Sequence, residues 1–232
     1  MTRSLRAGVI AVAAIAMGIG LSGCGSDTKS EPTTSNETSA EASATTSKAA
    51  PSTSAQASGP NKTIVDYIKE NGITETPVHR GDPGSPTIDL PFPTGWEDAG
   101  NRTPEWAYGA ILFTDPAMAQ DPPTIIALVS KLTGNVDPAK ILEYAQGEIK
   151  NLPGYDGAQD GQPSTLAGFD ATQIGGTYTK DGVKRMIAQK TVVIPGQDGL
   201  YVLQLNADGT EDQAMPLMDA TAAIDEQTTI TP

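Results

Sequence analysis

The single cysteine of the chain, Cys24, closes the string Leu21-Ser22-Gly23-Cys24, and the chemistry this string offers a thiol is acylation. Two arginines, Arg3 and Arg6, precede an apolar run from Ala7 to Leu21 that ends in small residues. Charge, length and the lipobox-type cleavage site together predict a lipoprotein signal peptide over residues 1–23, cut before a cysteine that then carries lipid. A run of about 15 residues is short of the roughly 20 that a spanning helix needs, and no charged stop-transfer cluster follows it. With one cysteine, no intramolecular disulfide can form. A soluble secreted product with a chance cysteine at its cleavage site is the alternative reading. Palmitate-type chains on Cys24 would anchor the product on the extracytoplasmic face of the cell membrane. Each buried methylene contributes about 0.8 kcal/mol, and two or more chains on one cysteine hold stably.

The other residues that suggest chemistry are weaker. His79 is the only histidine, which excludes a multi-histidine metal site. Ser85, His79 and Asp82 or Asp89 spell a triad-like set, but no Gly-x-Ser-x-Gly elbow exists and residues this close in one turn rarely form a triad. A turn-stabilising histidine is the better reading. Arg80-Gly81-Asp82 matches an adhesion tripeptide, although Gly-Asp-Pro-Gly is ordinary turn chemistry. Asp156 and Asp160-Gly161 hint at a calcium loop without the alternating acidic ligands of one, so a solvated loop is predicted. The Asn-x-Thr sequons at Asn36, Asn61 and Asn101 carry no weight in a bacterial envelope protein. No catalytic residue, metal site or cofactor is predicted, and a hydrolase is disfavoured for want of a nucleophile with an oriented base.

Composition sets the elements that must hold these residues. The formal charge is −13, and loss of the leader with its two arginines takes it to −15. Such a surface repels nucleic acid and anionic lipid headgroups, so attachment to a membrane has to come from acyl chains. From Gly25 to Ser58 the chain is rich in Ser, Thr and Ala and has no aromatic residue. Residues 24–59 are therefore read as a disordered tether with an end-to-end distance on the order of 30–35 Å, O-glycosylated or bare.

Residues 60–232 form one domain, long enough for a real core. A helix is expected over Thr63 to Asn71 and a second from Asp137-Pro138, with Ile141, Leu142, Ala145 and Ile149 on one stripe and Pro153-Gly154 after it. Extended pieces are expected at Pro77 to His79 and Thr87 to Leu90, and strands at Ala107 to Thr114 and Thr124 to Leu132. The apolar Ile125 to Val129 reads as central and buried on both faces. Phe169 to Lys180 should pair with Val183 to Ile194 through Asp181-Gly182, and then with Leu200 to Leu205. A last helix, roughly Asp212 to Asp225, should turn Leu217, Met218, Ala222 and Ile224 inward, with Pro216 confining its regular part to the residues beyond the proline. The fold class is α+β, an antiparallel β-sheet covered by α-helices.

Thr87-Ile88-Asp89-Leu90-Pro91-Phe92-Pro93-Thr94-Gly95-Trp96 resembles the strand and Pro-x-Gly-Trp turn of the Mog1/PsbP-like sandwich. The string from Pro77 to Leu90, Asp121 to Ile125, Ser130 to Gly134, Ala188 to Pro195 and the closing Ile224 to Pro232 resemble the LpqN/LpqT lipoprotein family of mycolate-containing actinobacteria. That resemblance implies a non-enzymatic envelope lipoprotein that handles trehalose glycolipid and associates with MmpL-type lipid transporters. Only Cys24 carries over from the family by residue. A protein-interaction module with no small ligand is the second reading. Most large side chains, Trp96, Phe113, Tyr178, Met186, Met215 and Met218 among them, are assigned to the core or its rim. Trp106 and Tyr108 follow the exposed-looking loop Gly100 to Pro104 and are the candidate ligand-binding residues. A trehalose-like head would stack on their rings while an acyl chain enters between sheet and helix.

Overall fold

The computed structural model describes residues 59–232, so the predicted leader, Cys24 and nearly all of the tether lie outside the described residues. The described chain enters through α1 (Ile64–Glu70), started by a capping box. The Thr63 hydroxyl accepts from the Asp66 N–H at 3.2 Å and the Asp66 carboxylate accepts from the Thr63 N–H at 2.9 Å. Four short strands follow, β1 (Thr74–Pro77), β2 (Thr87–Asp89), β3 (Trp96–Asp98) and β4 (Gly109–Phe113), and then the long β5 (Thr124–Thr133). Helix α2 (Pro138–Lys150) has Asp137 as its cap, accepting from the Ala139 N–H at 2.9 Å, with Pro138 where no N–H is needed. The rest is β6 (Asp156–Gly157), β7 (Gln162–Leu166), β8 (Phe169–Lys180), β9 (Val183–Gly196), β10 (Gly199–Thr210), α3 (Ala214–Gln227) and β11 (Thr229–Thr231).

The main sheet of the described residues runs β3-β4-β5-β10-β9-β8-β6, with β1 added on β5 and β7 on β8. All its pairings are antiparallel. The β8–β9 hairpin turns at Asp181-Gly182, both with positive φ (52° and 79°), which matches the twist of the strands it joins. β5 is central: β10 takes one edge, while β1 and β4 share the other. Its residues alternate between buried and half-buried: the face of Ile125, Ala127 and Val129 is buried and that of Ile126 and Leu128 half-buried, so the expected burial on both faces is met on one.

Alternation gives the sheet two apolar faces. One carries Val192, Ile194, Leu203 and Leu205 and packs against Leu217, Ala220 and Ile224 of α3. The other carries Val193, Leu200, Val202 and Leu132 and packs against Ile64 and Ile68 of α1 and Ile141 and Ala145 of α2. Trp96 is buried at 4 % exposure, as its turn predicts.

Several expectations are corrected. α3 begins at Ala214, two residues before Pro216, because a proline in the first turn removes only an N–H that has no intrahelical partner. Its inner residues are Leu217, Ala220 and Ile224, while Met218 and Ala222 are exposed, since α3 packs over β10 and turns that flank away from the sheet. The piece expected at Pro77 to His79 is strand only up to Pro77, although Val78 still donates to the Val129 carbonyl at 2.8 Å. β2 leaves the main sheet and pairs with β11, a strand with no periodic signal of its own. β6 and β7 are polar edge strands, one with Pro163 in it, and the β7–β8 turn is Ala167-Gly168 rather than a strong hairpin pair.

Gly147 sits on the inner side of α2, where a glycine costs about 1 kcal/mol relative to alanine. Its reason is contact. The segment before α1 passes so close that a Cβ here would lie 2.0 Å from the Lys62 carbonyl oxygen. That segment is tied down by Asn151, whose side-chain oxygen accepts from the Asn61 N–H at 3.0 Å and whose amide donates to the Asn61 carbonyl at 2.8 Å. Gly147→Ala is therefore expected to destabilise by about 1–3 kcal/mol despite better helix propensity, read as a lower denaturant midpoint.

Candidate functional site

On the α3 face, the register of three strands places Gly175, Ala188 and Ala207 side by side in one row, ending on Ile125 of β5. Three small residues in a row leave a trough. α3 lies over the β10 side of this face and does not fill it, so Ala188 stays exposed in the middle of β9 between the buried Ile187 and Gln189. The resulting groove encloses about 440 Å³, with Leu205 and Ile224 in its apolar lining and the outer flank of α3, Met218 and Ala222, as its wall. That volume lies within the roughly 300–1,000 Å³ of small-molecule sites.

The adjacent row across the same strands is Gln173, Lys190 and Leu205. Lys190 reaches over the groove to α3, donating to Asp225 Oδ1 at 2.7 Å. The Lys190 side chain is 10 % exposed and that of Asp225 42 %. The groove is thus a short apolar trough with an ion pair of a buried lysine and an exposed aspartate, glutamine amides from Gln162 and Gln173, and the Thr221 hydroxyl along its lining.

The opposite face has a far smaller cleft, about 40 Å³, between α1, β1 and β5. Trp106 lines it, half-buried, together with Ile64, Ile68, Glu75 and Glu148. Tyr108 is elsewhere: it is buried at 6 % exposure in the α3-side core, its hydroxyl accepts from the Ile88 N–H at 3.4 Å, and the Arg80 guanidinium lies 5.6 Å from its ring centroid. The two rings are not brought together, and Trp106 is separated by the sheet from the 440 Å³ groove.

The remaining candidates fall in turns. The His79 N–H donates to Asp82 Oδ2 at 2.7 Å, while the Ser85 hydroxyl donates to the Asp82 carbonyl at 2.7 Å and is thereby used within the turn. Arg80, Gly81 and Asp82 belong to the same turn, with Gly81 at φ 88°. Asp156 is in β6, where its carbonyl accepts from the Thr177 hydroxyl at 3.3 Å, and among the described residues no group of three or more His, Cys, Asp or Glu is placed to hold a metal ion.

Two polar clusters leave little trace in the sequence. Arg185, 8 % exposed, bonds Asp208 through Nε at 2.8 Å and also pairs with Asp121, and the Tyr178 hydroxyl donates to Asp208 Oδ2 at 2.6 Å. Burial, with the Asp208 carboxylate next, pushes the Tyr178 phenol well up. Glu148 is 8 % exposed and accepts from Gln204 Nε2 at 3.0 Å and Gln189 Nε2 at 3.3 Å. Burial pushes its carboxyl up, the Glu75 charge adds to this, and the two amides oppose it. The one signal the sequence holds for it is spacing, since Glu148 follows Ala145 by three and Ile141 by seven on the buried stripe.

Together these features define an antiparallel α+β domain with an open apolar groove lined on one side by the Lys190–Asp225 ion pair, among the described residues. A family model described as "Probable lipoprotein LpqN" matches residues 60–231, and the chain belongs to this LpqN lipoprotein family. It is 60% identical over 179 residues to Lipoprotein LpqN of Mycobacterium tuberculosis (strain ATCC 25618 / H37Rv), covering 76% of this chain and 77% of that protein. The fold matches the crystal structure of LpqN "involved in cell envelope biogenesis of Mycobacterium tuberculosis" with a TM-score of 0.72 and 60% identity, over 75% of this chain and 100% of the other. No helix among the described residues is long and apolar enough to cross a membrane.

A raised Glu148 value means that folding favours its proton. The stability it contributes is complete below the unfolded value of about 4.5 and is lost as pH rises through the higher folded value. Glu148→Gln keeps an acceptor for both amides. It is expected to leave Tm unchanged at pH 4 and to raise it at pH 8, read from thermal melts at the two pH values.

Proposed function

We propose that this protein is a non-enzymatic envelope lipoprotein, anchored through acyl chains on Cys24 at the extracytoplasmic face of the membrane, that binds one acyl tail of a trehalose glycolipid. The observation that carries this reading is the groove over Gly175, Ala188 and Ala207: it is apolar, open along its length, and of a size for one chain rather than several. The cleft beside Trp106, at about 40 Å³, has room for a few water molecules and is too small for a disaccharide head. Membership of the LpqN lipoprotein family, and the envelope-biogenesis context of its M. tuberculosis relative, support the lipoprotein and envelope part of this reading. In this reading an MmpL-type transporter delivers or receives the lipid, and the tether lets the head travel between membrane and partner.

Two results test it. Dodecyl trehalose titrated into the protein by calorimetry should bind, and Ala188→Phe, which fills the trough from an exposed position, should weaken that binding at least about tenfold with no loss of Tm. Trp106→Ala should leave it within about twofold. Absence of binding by the unsubstituted protein would remove the carrier role. Separately, Cys24→Ser should shift the protein from the membrane fraction to the aqueous fraction of a host able to process lipoproteins.

A further inference from the structure

We infer that Lys190 and Asp225 read the head of the groove's ligand, admitting an uncharged, hydroxyl-bearing head and turning away a fatty-acid carboxylate. This rests on the groove being an amphiphile site. Lys190 stands two residues along β9 from Ala188, beside the middle of the Gly175-Ala188-Ala207 row, and with Asp225 it lines the same groove, so the polar group of an amphiphile held there has Lys190 Nζ beside it. An ammonium has three N–H donors, and Asp225 Oδ1 takes one of them at 2.7 Å. The Lys190 side chain is nine-tenths buried, and an oxygen of a ligand in the groove would accept from one of its remaining N–H donors.

Charge decides which oxygen. Lys190 is the one cation among the groove's lining residues and Asp225 the one anion, so the pair offers a donor and an acceptor with no net charge. A hydroxyl matches both because it donates to Asp225 and accepts from Lys190. A carboxylate has acceptors alone. It would meet the Asp225 charge directly, and Asp225 stands in the last turn of α3, where the helix macrodipole is itself negative. The chain's formal charge of −13 acts in the same direction. Gln162 and Gln173, whose amides donate and accept, give a hydroxylated head further partners without favouring either sign.

The experiment compares two amphiphiles with the same tail, dodecyl glucoside and dodecanoate, titrated into the full-length protein at pH 8 and below their micellar concentrations. The unsubstituted protein should bind the glucoside at least about tenfold tighter. Asp225→Asn removes the competing charge and leaves Lys190 without its counter-ion, so dodecanoate should gain about tenfold or more and the preference should narrow or invert. Lys190→Met should weaken the glucoside with no gain for dodecanoate. Equal affinities in the unsubstituted protein, or an unchanged ratio in Asp225→Asn, overturn the head-reading role and leave the groove intact as a chain site. If neither amphiphile binds, the groove reading and this inference fall together.

Discussion

A sheet with helices on both faces must satisfy two alternating sets of side chains at once, and in this domain β9 and β10 carry that requirement. On the α1/α2 face the inward set is large and apolar where Val193, Leu200 and Val202 lie, and the helices close tightly over it. On the α3 face the same strands offer Val192, Ile194, Leu203 and Leu205 at one end and the small Ala188 and Ala207 further along. Close packing rewards the first arrangement and fails over the second, because a helix resting on leucines cannot also reach alanines. The groove is a consequence of side-chain volume.

How much of this was legible depends on the kind of signal each part leaves. The β8–β9–β10 meander was readable because Asp181-Gly182 dictates a tight turn and apolar alternation continues on either side of it. α2 was readable from its cap and stripe. β6, β7 and β11 were not, because edge strands in water need no apolar face and gain their pairing from a neighbour fixed elsewhere in the sequence. The inner residues of α3 were misread by one flank: Met218 and Ala222 are apolar enough to join a buried stripe, and what excludes them is where the helix sits over β10.

The site was less legible than the fold. Trp106 and Tyr108 drew attention as large rings near a loop, but ring size says nothing about which side of a sheet a residue will take. Residues two apart share a face only inside a strand, and β4 starts at Gly109, after both of them. The residues that shape the groove are a glycine and two alanines, conspicuous only once the register sets them side by side. Lys190 had a faint signal, a lysine just before the buried run Thr191-Val192-Val193-Ile194, yet its partner lies 35 residues away in α3. Cross-strand rows and ion pairs at that separation are products of the tertiary fold.

A trough lined by small residues would be of no use if the helix beside it could sink and close it. Both ends of α3 oppose that. Before its first turn, Gln213 donates to the Asp121 carbonyl at 2.7 Å, and its side-chain oxygen accepts from the Thr210 N–H at 2.9 Å. After its last turn, β11 pairs at once with β2, which fixes the chain leaving the helix. Leu217 also meets β10 at Gly209, where a Cβ would stand 2.8 Å from the leucine side chain, so the helix already touches the sheet as closely as a glycine permits. With its ends bonded and one flank in contact, α3 cannot move over the Ala188 row without breaking hydrogen bonds that each contribute about 1 kcal/mol. The opening is therefore built into the folded state before any ligand arrives, which removes the ordering cost that a site formed on binding would carry.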